Sequence, residues 1–216
     1  TSDGSHTLKL VNFNEQYHSL HGALGESRHI FIKSGLNFLA PANEKINILE
    51  VGLGTGLNAL LTAHNSIGGS SVVWYHALEP YPLSKEITDK LNFCKLIDWS
   101  LAPQVFEGIH SSIGNDYIKI TEEFYMLTSH ETLSEALLNE RHYHLVYFDA
   151  FSPETQPELW TQEVFEKVYR SLVAEGVLVT YCSKGIVRRA LTAAGFKVEK
   201  VPGPHGKREI TRAIKI

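Results

Sequence analysis

Apolar residues recur along this chain in two rhythms, short continuous runs of strand length and longer runs of helical spacing, and the two alternate regularly from Lys45 onward. Ile46-Asn-Ile-Leu-Glu-Val51 reads as a buried strand, residues 52–56 as a glycine-rich turn, and residues 57–65, rich in Leu and Ala, as a helix. The pattern predicts further strands at 72–78, within 117–127, at 143–148 and at 177–181. Helices are expected after Pro82, near 132–139, at 161–172 and at 185–194, the last ended by Gly195. Two final strands, 196–201 and 209–214, flank the turn Pro202-Gly-Pro-His-Gly206. Ahead of this core, β-prone runs at 7–13 and 29–32 surround a polar stretch, residues 14–28. Strands alternating with helices imply a Rossmann-like α/β fold: a mostly parallel seven-stranded sheet, helices on both faces, and an antiparallel C-terminal edge strand. The expected organisation is one domain over residues 1–216, a small N-terminal β extension (1–44) and a Rossmann-like core (45–216).

Composition narrows the class of protein. Apolar residues make up 43% and charged residues 20%, as in ordinary globular chains, so a folded core is expected. No apolar run approaches the roughly 18 residues of a membrane span, and the first residues lack a basic, then apolar, leader; a soluble protein is expected. Two cysteines at unrelated spacing, Cys94 and Cys182, fit a reducing compartment, hence the cytoplasm, and suggest no metal site. A net charge of −4 disfavours nonspecific coating of nucleic acid but leaves room for a local basic patch.

Three motifs carry candidate chemistry. Glu50-Val-Gly52-Leu-Gly54-Thr-Gly56-Leu-Asn58 joins the first core strand to its helix, where glycines let the backbone approach a ligand and the helix N-terminus offers free N–H groups. Its G-x-G-x-G spacing suits a nucleoside ligand better than a dinucleotide pyrophosphate; a turn chosen only for tight packing is the alternative. Glu79, before Pro80 at the end of the second strand, stands at the offset where an acid accepts ribose hydroxyls, although a plain strand-end acid fits too. Asp149, in Tyr147-Phe-Asp-Ala-Phe151-Ser-Pro153, closes the fourth strand beside the crevice where such sheets bind ligands; its alternative is a loop cap.

These residues, with Glu26-Ser-Arg-His-Ile-Phe31, Pro157-Glu-Leu-Trp-Thr161, Tyr181-Cys-Ser-Lys-Gly185, Val187-Arg-Arg189 and Gly206-Lys-Arg-Glu209, resemble one family along nearly the whole chain. It is the methyltransferase domain of the bacterial tRNA enzyme that makes 5-methylaminomethyl-2-thiouridine at the wobble position. The resemblance implies a class I methyltransferase using S-adenosylmethionine, held by Glu50, Gly52, Gly54, Gly56, Asn58, Glu79, Pro80 and Asp149. Where the family carries an acid near the adenine, this chain has Ser129-His-Glu131-Thr132, so Glu131 and Thr132 are the candidates there. The acceptor implied is the 5-aminomethyl group of (2-thio)uridine 34, in a form without the fused flavin-dependent oxidase, another enzyme supplying the free amine.

An alkyl amine is mostly protonated at neutral pH, so a carboxylate that holds it and takes its proton would help; Asp149 is the expected catalytic residue. Tyr17, His18, Glu26 and Phe151 are expected to close the site around the base, with a structural role for Tyr17 and His18 equally open. Lys184, Arg188, Arg189, Lys207 and Arg208, with Arg212, form a basic cluster in the C-terminal third, suited to the phosphates of an anticodon stem-loop or else a solvated surface. A small-molecule or protein amine as acceptor, and a non-catalytic S-adenosylmethionine- or RNA-binding accessory role, are the competing functions. No metal is expected, and a monomer is the default.

Overall fold

The computed structural model describes residues 1–10, 15–39 and 44–216. Its elements in chain order begin with β1 (Lys9–Leu10) and β2 (Glu15–Gln16), an antiparallel pair. The run expected over residues 7–13 lies partly outside the described residues. Next come α1 (Ala23–Ser27), a π-helical turn at Arg28–Lys33 and a 3-10 turn at Leu36–Phe38. The core then runs β3 (Lys45–Val51), α2 (Leu57–Ser66), β4 (Val72–Leu78), α3 (Lys85–Thr88), α4 (Phe93–Leu96) and α5 (Ala102–His110). It continues through β5 (Ile118–Lys119), β6 (Phe124–Ser129), β7 (Tyr143–Phe148), α6 (Gln162–Ser171), β8 (Leu172–Thr180), α7 (Gly185–Ala193), β9 (Phe196–Pro202) and β10 (Glu209–Lys215).

One eight-stranded sheet has the order β5-β6-β4-β3-β7-β8-β10-β9. From β6 to β8 all pairings are parallel, and the order reverses between β3 and β7, whose carboxyl ends lie side by side. The central strands are buried on both faces, which is why they read as unbroken apolar runs. On one face the π-helical turn, α2 and α5 cover Ile48, Tyr75 and Tyr147; on the other, α6 and α7 cover Leu49, Phe148 and Leu178. Each such side chain contributes about 1.5–3 kcal/mol by leaving water. The amphipathic α6 turns Phe165 and Val168 inward and is capped by Thr161, whose hydroxyl accepts from Val164 N.

Four expectations require correction. The sheet has eight strands, since β5 adds an antiparallel edge to β6. The last strand is not the edge: β10 inserts between β8 and β9, antiparallel to both, and leaves β9 outermost. Residues 29–32 are helical, not extended. Their β-prone side chains are overridden by packing, as Ile30, Phe31 and Ile32 are all buried and the Phe31 ring lies tilted against Tyr147 at 5.0 Å. Among the described residues, the β structure of the segment ahead of the core is the pair of two-residue strands β1 and β2. Finally, the segment 132–139 is not a helix: residues 133–135 form a turn and 136–139 are irregular; the Thr132–Glu135 cap is made and Leu133 and Ala136 are buried, but Leu137 is 96% exposed, so the apolar face is too short to hold a helix.

Candidate active site

At the switch point, Val51 O accepts from Asp149 N and Leu78 O from Gly52 N, so the ends of β3, β4 and β7 converge on one cavity of about 800 Å³. Gly52 sits at φ +88°, and a methyl group there would lie 3.0 Å from the Asp149 carbonyl oxygen; backbone touches backbone, and only glycine fits. A methyl on Gly54 would lie 3.1 Å from the Tyr17 ring. Gly56 does not line the cavity. Its role is close packing, a methyl there meeting the His110 ring at 2.9 Å.

Glu79 lies at the cavity wall, 9% exposed, its two oxygens accepting from Gly54 N (2.8 Å) and Tyr81 N (2.9 Å). The strand-end acid and the glycine loop are thus directly joined. Asp149 forms the floor, and the surface it keeps open belongs to the cavity. Asn58 Nδ2 donates both to Asp149 Oδ2 (2.8 Å) and to Glu50 Oε1 (3.0 Å). Burial, against the opposing Asn58 hydrogen bond, pushes the Asp149 carboxyl up to about 8; Glu26 adds to the rise and Lys207 counters it. Glu50 is fully buried beneath the loop and does not line the cavity; burial raises its pKa well above the usual carboxylate range. Among the described residues, Glu50 Oε2 and Asn58 Oδ1 are buried without hydrogen-bond partners.

Two of the expected aromatic residues meet at the cavity. Tyr17 packs edge-on against Phe151 at 5.1 Å over the glycine loop, and both line the cavity. His18 also lines it, but its ring is a structural tie: Nδ1 lies 3.2 Å from Thr7 Oγ1 and Nε2 3.2 Å from Thr55 Oγ1. Burial lowers its pKa to about 4, so the ring is neutral at pH 7. Pro80 and Thr132 line the cavity; Thr132 gives its amide and hydroxyl to Glu135. Glu131 is not part of the lining.

The basic cluster divides. Lys207 enters the cavity, ion-paired to Glu26 and 4.5 Å above the Tyr181 ring. Outside it, Lys184 pairs with Glu154, Arg188 with Glu209 and Arg212 with Glu199. Arg189 and Arg208 are exposed and make no ion pair among the described residues. Sequence reasoning missed Glu15, which lines the cavity and grips the loop after β7 by accepting from Ser152 N (2.9 Å) and Thr155 Oγ1. It also missed Tyr181, whose hydroxyl donates to Ala150 O at 3.0 Å. Tyr181 directly follows β8, so the rule that sites gather at strand carboxyl ends was a usable signal for it; Glu15, in a stretch without periodicity, had none.

Residues 105–216 match the family described as S-adenosyl-L-methionine-dependent methyltransferase. The chain belongs to this family. Like other S-adenosylmethionine-dependent methyltransferases it has a mostly parallel sheet with ligand-binding chemistry at the strand carboxyl ends, and the glycine cradle joined to Glu79 fits a nucleoside cofactor. It is 30% identical to the tRNA 5-methylaminomethyl-2-thiouridine biosynthesis bifunctional protein MnmC of Cupriavidus metallidurans over 93% of its length, and 29% identical to that of Campylobacter hominis over 94%. It spans only 31% and 30% of those two proteins. A crystal structure of MnmC2 from Aquifex aeolicus superimposes with a TM-score of 0.80 at 27% identity, covering 99% of this chain and 68% of that one. Among the described residues no helix is long and apolar enough to cross a membrane, and no group of three or more His, Cys, Asp or Glu is placed to hold a metal ion.

Proposed function

We propose that this methyltransferase acts on tRNA, methylating the primary amine of 5-aminomethyl-(2-thio)uridine at wobble position 34. The observation that carries the reading is the Asp149 carboxyl on the cavity floor, anchored by Asn58 and raised to about 8. S-adenosylmethionine, when bound, supplies a methyl group whose leaving group is a neutral thioether, so the chain's residues have to orient the acceptor and remove its proton. The glycine cradle and Glu79 would hold the nucleoside part, Glu79 exchanging its amide partners for ribose hydroxyls.

An amine resembling that of Lys has a pKa near 10.4, and freeing its lone pair at pH 7 costs roughly 4–5 kcal/mol. An ordinary carboxylate is a poor base for that ammonium. Asp149, raised to about 8, narrows the mismatch to about 2 units while still offering a negative partner once the cation arrives. Tyr17 and Phe151 flank the base, and Lys207, held by Glu26 and Tyr181, offers a donor to its polar edge. The relatives' printed names support this acceptor over a small molecule or a protein. In this reading the chain works in the cytoplasm as a monomer, residues 1–216 forming one domain.

Transfer of labelled methyl from S-adenosylmethionine to tRNA prepared from cells lacking the methyl step tests this. Asp149→Asn should lower turnover by about 100-fold or more, the scale of general-base catalysis, with cofactor affinity within about threefold of wild type. Near-normal turnover in that variant would remove Asp149 from the chemistry.

A further inference from the structure

A second cleft, of about 620 Å³, opens on the outer side of the segment between α1 and the core, away from the strand ends. It is lined by Arg28, His29, Lys33, Asn37, His64 and Asn65 over an apolar base of Ile32 and Leu61. Among the described residues no acidic one lines it, in a chain whose net charge is −4. Arg28 and Lys33 are exposed and, among the described residues, make no ion pair. The carboxylate of Asp3 comes near the rim, but it is engaged by Gly25 N at 3.0 Å and by the Thr1 and Ser5 hydroxyls.

The backbone explains why the two cations act together. Residues Arg28–Lys33 are π-helical, with Ser34 N donating to His29 O at 3.1 Å, five residues back. In an α-helix side chains five apart diverge by about 140°; the wider π turn brings them near one face. π turns are uncommon, and single turns of this kind concentrate at functional sites. His29 Nε2 donates to Pro202 O at 2.7 Å, tying the cleft wall to the start of the turn that carries Lys207. Glu26, which pairs with Lys207 in the main cavity, precedes Arg28 by two residues in the same continuous helical run. The cleft and the active-site cavity thus lie against the same helical segment, Glu26, Ser27 and Phe31 facing the cavity and Arg28, His29, Ile32 and Lys33 the cleft. Of the C-terminal cations, Lys184, Arg188 and Arg212 are paired with glutamates, while Arg189 and Arg208 are free of ion pairs among the described residues but line neither the cavity nor the cleft.

We propose that this cleft binds the phosphodiester backbone of the tRNA stem whose wobble base enters the main cavity, with Arg28 and Lys33 as the phosphate ligands and Asn37, His64 and Asn65 as further polar contacts beside them. The proposal rests on the tRNA reading above. It assigns much of the affinity for RNA to a surface outside the reaction site.

The test is the salt dependence of tRNA binding, read by fluorescence anisotropy, for the wild type, Arg28→Ala/Lys33→Ala and the charge-retaining Arg28→Lys/Lys33→Arg. Each lost phosphate contact flattens the plot of log affinity against log salt by about 1, so the alanine pair should lose about 2 in slope. Its affinity at about 0.1 M salt should fall at least tenfold, while the charge-retaining pair stays near wild type. S-adenosylmethionine binding, measured by calorimetry, should be unchanged in both and so reports intact folding. An unchanged slope in an alanine pair that still binds the cofactor overturns the proposal and leaves the tRNA reading standing. Failure of the wild type to bind tRNA overturns both. Displacement of tRNA by millimolar inorganic phosphate at constant ionic strength would mean that the cleft takes a free anion, which also overturns the backbone assignment.

Discussion

Asp149 and Asn58 form the smallest unit of this site, and their arrangement sets a conflict between stability and chemistry. A carboxyl whose folded-state pKa is about 8, against an ordinary 3.8, binds more protons folded than unfolded between those values. Stability from this group therefore falls as pH rises from about 4 to about 8, and the destabilisation is fully present above that. Asn at this position keeps an acceptor for Asn58 without the charge. Asp149→Asn should accordingly raise the melting temperature by about 4 °C or more at pH 8.5 and by little at pH 4, as followed by calorimetry. An equal shift at both pH values would show that Asp149 is not held proton-rich. The identity of this residue was legible in the sequence, because a strand-end acid in an α/β chain has a small set of positions. Its pKa was not, since the shift depends on Asn58, Glu26 and Lys207, which lie 91, 123 and 58 residues away along the chain.

At the scale of elements, the core strands and α6 were readable because their burial follows directly from periodicity, whereas the segment before Lys45 was not. Residues 29–32 carry the composition of a strand and are wound into a π turn by contacts with α2 and β8 that only the fold supplies. The short β2 likewise has no pattern, yet it presents Glu15 to the loop after β7. That loop is fixed from three directions: Glu15 holds Ser152 and Thr155, Gln156 Oε1 accepts from Phe151 N, and Phe151 O accepts from Trp160 Nε1. Releasing the first of these should leave Phe151 poorly placed over the acceptor. Glu15→Ala should raise the KM for tRNA by about tenfold, the equivalent of one charge-assisted hydrogen bond, with the cofactor dissociation constant unchanged. If both constants move together, the hairpin supports the whole cavity and not the acceptor side.

Across the whole molecule, two histidines, His18 partly buried and His76 buried, connect distant parts of the fold. His18 bridges the N-terminal segment to the glycine loop, and His76 lies between Tyr143 (2.7 Å) and Ser129 (2.8 Å), joining β4, β6 and β7. Burial lowers both to about 4, so the folded protein holds them neutral while the unfolded chain, titrating near 6.5, takes up protons first. Stability should therefore decline as pH falls from about 6.5 to about 4. His76→Gln, which retains an amide donor and acceptor, should flatten that decline in urea titrations at stepped pH; an unaltered slope would place the acid sensitivity elsewhere.

Mass spectrometry of wobble nucleosides decides whether the chain carries out the proposed reaction. The purified chain is incubated with isotopically labelled S-adenosylmethionine and tRNA from cells lacking the methyl step, and the tRNA is then digested to nucleosides. The account predicts a single labelled methyl on 5-aminomethyl-(2-thio)uridine and on no other nucleoside. Label on a different nucleoside, or cofactor bound with no label transferred, would contradict it.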